Sequence, residues 1–93
     1  DPEQYVPRFA SDLGLSDEAK LRARQLLKNA KEKGVHSGKS PVGLAAAAVY
    51  AAALLTNEKT TQAAVSDVAD ISEVTIRNRY HELLEAEESI GLA

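Results

Sequence analysis

The sequence predicts an all-α fold of five helices, with an alanine-rich helix buried at its centre and a helix-turn-helix at its C-terminal end. Three observations lead there. No stretch alternates apolar and polar residues with the period of two that a strand needs, whereas capping signals recur at helical spacings. The run PVGLAAAAVYAAALL, Pro41 to Leu55, is apolar all the way round, and Tyr50 carries its sole polar side-chain atom. A helix without a polar face is buried on all sides, and this one is too short to cross a bilayer, so the other helices must cover it. Finally, TTQAAVSDVADISEVTIRNRY, Thr60 to Tyr80, reads as a short helix with apolar Ala64, Val65 and Val68, a turn at Asp70 and Ile71, and a second helix capped by Ser72.

In chain order, helices are expected over about residues 3–13, 17–33, 41–55, 61–69 and 73–86 of a single domain, with the helix-turn-helix over 61–86. Asp1 and Pro2 supply a cap and first turn, after which Tyr5, Phe9 and Leu13 share one face. Pro7 lies inside that run and either starts the true helix or kinks it; Gly14 closes it. Ser16 caps the second helix, Asp17 and Glu18 favour its positive end, and Gly34 ends it. Ala19, Ala23, Leu26, Leu27 and Ala30 form its core face. Ser40 as cap and Pro41 at the first helical position open the third helix, whose alanines let neighbours approach closely. Thr56 to Lys59 is a polar connection, and Thr60 caps the fourth helix. Beyond Ala86 the acidic EESIGLA tail carries no strong signal and is expected to fray.

The last helix has two faces. At 100° per residue Ile76, Tyr80, Leu83 and Leu84 share the side that must meet the core, while Val74, Arg77, Asn78 and His81 cluster opposite. An exposed Val one turn before an exposed Arg at a helix N-terminal end suits a DNA major groove, where Arg forks onto guanine and Val meets a thymine methyl. The same residues also read as an ordinary solvated face, and both readings stand on this stretch alone. Likewise Lys20, Arg24, Lys28 and Lys31 fall on one stripe of the second helix, which is either a solubilising face or a phosphate-facing one.

Composition narrows the classes. With 44% apolar and 27% charged residues in 93, the chain is an ordinary globular domain able to enclose one core. It has no cysteine, which excludes disulfides, thiolate zinc sites and a cysteine nucleophile from these residues. His36 and His81 lie on different elements with no supporting carboxylate pattern or glycine-rich phosphate loop, so no enzyme, metal or cofactor is expected. The formal net charge of −3 argues against a nucleic-acid partner, but charge is segregated. Seven Lys or Arg residues between Lys20 and Lys39 face only Glu32, while Glu82, Glu85, Glu87 and Glu88 make the C-terminal end acidic. An acidic balance in a DNA binder also fits a high-salt cytoplasm. The chain starts at Asp1 with no basic or apolar leader, and a piece of a longer protein is expected.

The run GKSPVGLAAAAVYAAALL followed by TQAAVSDVADISEVTIRNRYHEL resembles the second cyclin-like repeat of archaeal transcription factor B, the counterpart of eukaryotic general transcription factor IIB. YVPRFASDLGL looks like the first helix of the same repeat, so the resemblance runs from about Tyr5 to Leu84. It implies a five-helix cyclin fold in a cytoplasmic, monomeric archaeal factor. It also implies docking on the TATA-binding protein, reading of the B recognition element upstream of the TATA box, and contact with RNA polymerase through parts of the factor outside these residues. Carried over, Val74 and Arg77 match base-contacting positions; Thr75, Asn78 and Arg79 stand beside them as phosphate or base neighbours. Lys39 and Ser40 match a loop at a helix N-terminus lying against the DNA backbone. Ser66 and Asp70 depart from the family's usual Ala and Gly, which puts the packing of the two helices in question. The alternative is a protein-docking cyclin module without sequence-specific DNA readout.

Overall fold

The computed structural model describes residues 1–91, and every regular element in them is helical. A 3-10 turn, Pro2–Tyr5, runs into α1, Val6–Asp12; α2 spans Asp17–Glu32, α3 Pro41–Leu55, α4 Gln62–Ala69 and α5 Glu73–Gly91. The first expected helix is therefore two pieces. Asp1 Oδ1 accepts from the Glu3 N–H at 3.1 Å to start the turn, and Pro7 sits in the first positions of α1, where its missing N–H has no intrahelical partner to lose.

Local signals explain where the helices stop. Gly14 and Gly34 adopt φ of +69° and +73°. Behind each, two backbone N–H groups fold back onto the last turn, Gly14 to Ser11 and Leu15 to Ala10, then Gly34 to Lys31 and Val35 to Ala30. The same closure ends α3, with Asn57 at φ +59° in the place glycine usually takes. The fourth helix is capped by Thr61 rather than Thr60: Thr61 has extended backbone and its hydroxyl accepts from the Ala64 N–H at 3.0 Å. α5 continues past Ala86 to Gly91, beyond the end expected from sequence. Ala86 is buried and Arg22 of α2 pairs with Glu87, so packing holds turns that composition alone leaves unmarked. Leu92 and Ala93, the end of the EESIGLA tail, lie outside the described residues.

α3 is the hub and touches every other helix and the 3-10 turn. Ala45 to Ala48 and Ala51 to Ala53 have no accessible surface, which fits a rod enclosed by neighbours that approach its backbone. Pro41 at its entry and Leu54 and Leu55 at its exit are its exposed residues. The volume that small side chains leave is filled by Phe9, Leu26, Leu44, Ile76, Leu83, Val6, Val49 and Val65, all fully buried. Ala19, Ala23, Leu26, Leu27 and Ala30 are the buried face of α2. A clasp closes the far end of the bundle. The Glu58 carboxylate accepts from the Ser16 N–H at 2.8 Å, the Ser16 hydroxyl at 2.6 Å and the Thr56 hydroxyl at 2.7 Å, tying the start of α2 to the exit of α3. These bonds, the Ser16 hydroxyl foremost, favour the ionised form and hold Glu58 below its ordinary pKa.

Candidate nucleic-acid interface

The turn between α4 and α5 aims the last helix. Asp70 takes the left-handed conformation, φ 56° and ψ 47°, which aspartate tolerates better than most residues. Its N–H and that of Ile71 both turn back to the Ser66 carbonyl. The Ser66 hydroxyl in turn donates to the Ile71 carbonyl at 2.6 Å, so Ser66 holds both sides of the turn. An alanine there could not make that bond. The two departures from the usual Ala and Gly thus leave a closed turn rather than a loosened one. On its far side Ser72 caps α5, accepting from the Thr75 N–H at 3.2 Å and donating to the Thr75 hydroxyl at 3.0 Å.

Burial then separates the faces of α5. Ile76 and Leu83 are fully buried, and Tyr80 is half-buried with its ring edge against Tyr50 of α3, centroids 5.3 Å apart. Val74, Arg77, Asn78 and His81 are exposed together, Val74 by 57%. Arg77 forms no ion pair among the described residues, which leaves its guanidinium fork available.

The flank beside that face meets the start of α3. A Cβ on Gly43 would lie 3.4 Å from the Thr75 methyl, an ordinary contact distance, which sets the N-terminal ends of α3 and α5 side by side. The Ser40 hydroxyl caps α3 by accepting from the Gly43 N–H at 3.2 Å. Lys39 pairs with Glu82, and Arg79 Nε lies 3.0 Å from the other oxygen of the same carboxylate, an ion-pair distance without hydrogen-bond alignment. Two of the sequence-derived phosphate candidates, Lys39 and Arg79, are thus gathered next to Thr75 and Asn78 but already hold a carboxylate. Sequence reasoning placed Glu82 in the acidic C-terminal end but missed its pairing with Lys39, 43 positions away. Its one sequence signal was its place three residues after Arg79 on the same helix.

The basic stripe lies elsewhere. Arg22 of α2 forms an ion pair with Glu87 of α5. Arg24, Lys28 and Lys31 border clefts shared with Asp1 and Glu3 of the N-terminal turn, and Lys20 pairs with Asp17 at 3.5 Å. None of these four residues forms an ion pair with α5 among the described residues. Of the two histidines, His81 is exposed on α5 and His36 half-buried in the α2–α3 connection. Among the described residues no helix is long and apolar enough to cross a membrane.

Comparison with known proteins bears on this geometry. The family model of the transcription factor TFIIB repeat matches residues 1–86. Transcription initiation factor IIB 6 of Halobacterium salinarum is 89% identical over 90 residues, 97% of this chain and 28% of that protein. Transcription initiation factor IIB 2 of Haloferax volcanii is 80% identical over 93 residues, the whole of this chain and again 28% of the relative. A transcription initiation factor IIB of Haloarcula vallismortis is 60% identical over 86 residues, 92% of this chain and 75% of that sequence. The chain therefore spans about a quarter of the length of the first two.

Proposed function

The chain belongs to the transcription factor TFIIB repeat family, and from that premise we propose that it reads promoter DNA for a general transcription initiation factor. α5 enters the major groove at the B recognition element upstream of the TATA box. Arg77 makes a bidentate contact to a guanine edge and Val74 packs on a thymine methyl. Asn78, Thr75 and Arg79 contact neighbouring bases or phosphates, while Lys39 and Ser40, at the start of α3, lie along the backbone. The repeat does this as a monomer in the archaeal cytoplasm, docked on the TATA-binding protein, and RNA polymerase is engaged by other parts of the factor. One observation carries the reading. Beyond a turn closed at Asp70, the first two turns of α5 expose an apolar residue, an Arg without an ion pair among the described residues and an Asn on one side.

A second reading is a protein-docking module. The net charge of −3 and the engagement of Lys39 by Glu82 favour it, because both reduce the charge offered to phosphate.

A binding titration separates the two, using duplexes with intact or scrambled upstream elements, with and without TATA-binding protein, at several salt concentrations. Groove reading predicts a preference for the intact element, and in Arg77→Ala a loss of about 1–3 kcal/mol with relaxed choice at one base position. Lys39→Ala should weaken all sequences alike. Binding that requires the TATA-binding protein and ignores the upstream sequence would leave only the docking module standing.

A further inference from the structure

Resting on the groove reading, we propose that Glu82 is a built-in competitor for DNA phosphate, which restrains sequence-independent binding and makes affinity depend on the base contacts of Val74 and Arg77. Glu82 stands one helical turn after Asn78, at the edge of the exposed face, and its carboxylate is shared by Lys39 and Arg79. The three side chains retain 25%, 23% and 32% exposure for Lys39, Arg79 and Glu82, so the cluster is partly shielded yet open to an incoming anion. Its charges are two positive and one negative.

A phosphate reaching the start of α3 therefore meets one net positive charge rather than two. To take either cation fully it must displace the carboxylate or remain close to it, and like charges at that range repel. This penalty falls on any sequence equally, because every duplex presents the same backbone. The contacts of Arg77 and Val74 are untouched by it, since neither residue belongs to the cluster. Glu82 thus subtracts from the part of the affinity that carries no sequence information, which raises the ratio of specific to non-specific binding.

Glu82→Gln tests this, because the amide keeps the shape and removes the charge. The 93-residue chain is titrated with an intact-element duplex and with random-sequence duplexes between 50 and 200 mM salt, and folding is checked by thermal melting. The variant should bind random duplexes more tightly, steepen the logarithmic salt slope by about 0.9, lose about 3-fold more affinity across that salt range, and discriminate less between duplexes. Adding Lys39→Ala restores one net positive charge and should return the slope to that of the parent. Lys39→Ala alone should make the slope shallower by a similar amount, and Glu82→Ala, which removes the same charge, should steepen it as Glu82→Gln does, which keeps the test alive if the amide variant fails to fold. A Glu82→Gln chain that melts normally but shows an unchanged slope, or weaker binding to both duplexes, would overturn the competitor role and leave Glu82 as a strut. If the parent chain shows no preference for the intact element and Arg77→Ala behaves identically, groove reading itself has failed and this inference with it. A preserved preference with an unmoved slope refutes Glu82 alone.

Discussion

Replacing Ser66 by alanine should loosen the turn that aims α5. The Ser66 hydroxyl donates to the Ile71 carbonyl at 2.6 Å in a partly buried setting, and losing a typical intramolecular hydrogen bond costs about 0.5–1.5 kcal/mol. Leaving that carbonyl short of a donor pushes the cost toward the upper end, moderated because Ile71 is half-buried and water can reach part of it. Against this, alanine is the better helix former inside α4 by up to about 0.5 kcal/mol. The loss should win, with a net destabilisation of about 0.5–1 kcal/mol. For a domain of this size that lowers the melting temperature by roughly 2–8 °C, because 1 kcal/mol corresponds to about 4–8 °C. Urea and thermal melts followed by helical circular dichroism would measure it. Asp70→Gly is the informative companion, since glycine adopts the left-handed conformation at Asp70 without the steric cost of a side chain. If Ser66→Ala melts at or above the parent temperature, helix propensity outweighs the hydroxyl bond, and the turn does not depend on Ser66.

Two further perturbations probe the scaffold. Glu58→Gln should lower the melting temperature at neutral pH, because it removes the ionised acceptor of the Ser16 and Thr56 donors. As the folded pKa of Glu58 is depressed, its stabilisation is complete above the ordinary value of 4.5 and is lost as pH falls through the lower folded value. The gap between parent and variant should therefore narrow as pH falls below 4.5 and through the folded value; a gap that does not change with pH across the acid range would dismiss the clasp. Ala47→Leu should destabilise by about 1–3 kcal/mol in urea titration, since Ala47 has no accessible surface on the enclosed rod. A more stable variant would reveal unfilled space beside α3.

Much of the fold was legible because its determinants are local. Ser16, Ser40 and Ser72 cap the helices that follow them, and a capping bond needs only a hydroxyl and an N–H three residues on. The core face of α2 follows from helical geometry alone, as does the exposure of Val74, Arg77, Asn78 and His81 opposite Ile76 and Leu83. Adjacent threonines show the limit of such signals. Thr60 and Thr61 have the same capping chemistry, and backbone conformation at the end of the α3–α4 connection selected Thr61. The end of α5 was illegible for another reason: EESIG has no stop signal before Gly91, and the contact of Glu87 with Arg22 of α2 supports the helix past Ala86.

Residue periodicity by itself determined the all-α class, the buried alanine-rich rod and the face that α5 turns outward, because each depends on which side chains recur every three or four positions. Tertiary structure alone decided which charges remain available on that face. It set Arg24, Lys28 and Lys31 beside the N-terminal turn, and it brought Lys39 onto Glu82 across 43 positions of chain. Helical spacing orders side chains around one axis. An ion pair between elements also needs the distance and orientation of two axes, which exist only once α3 has drawn its neighbours around it.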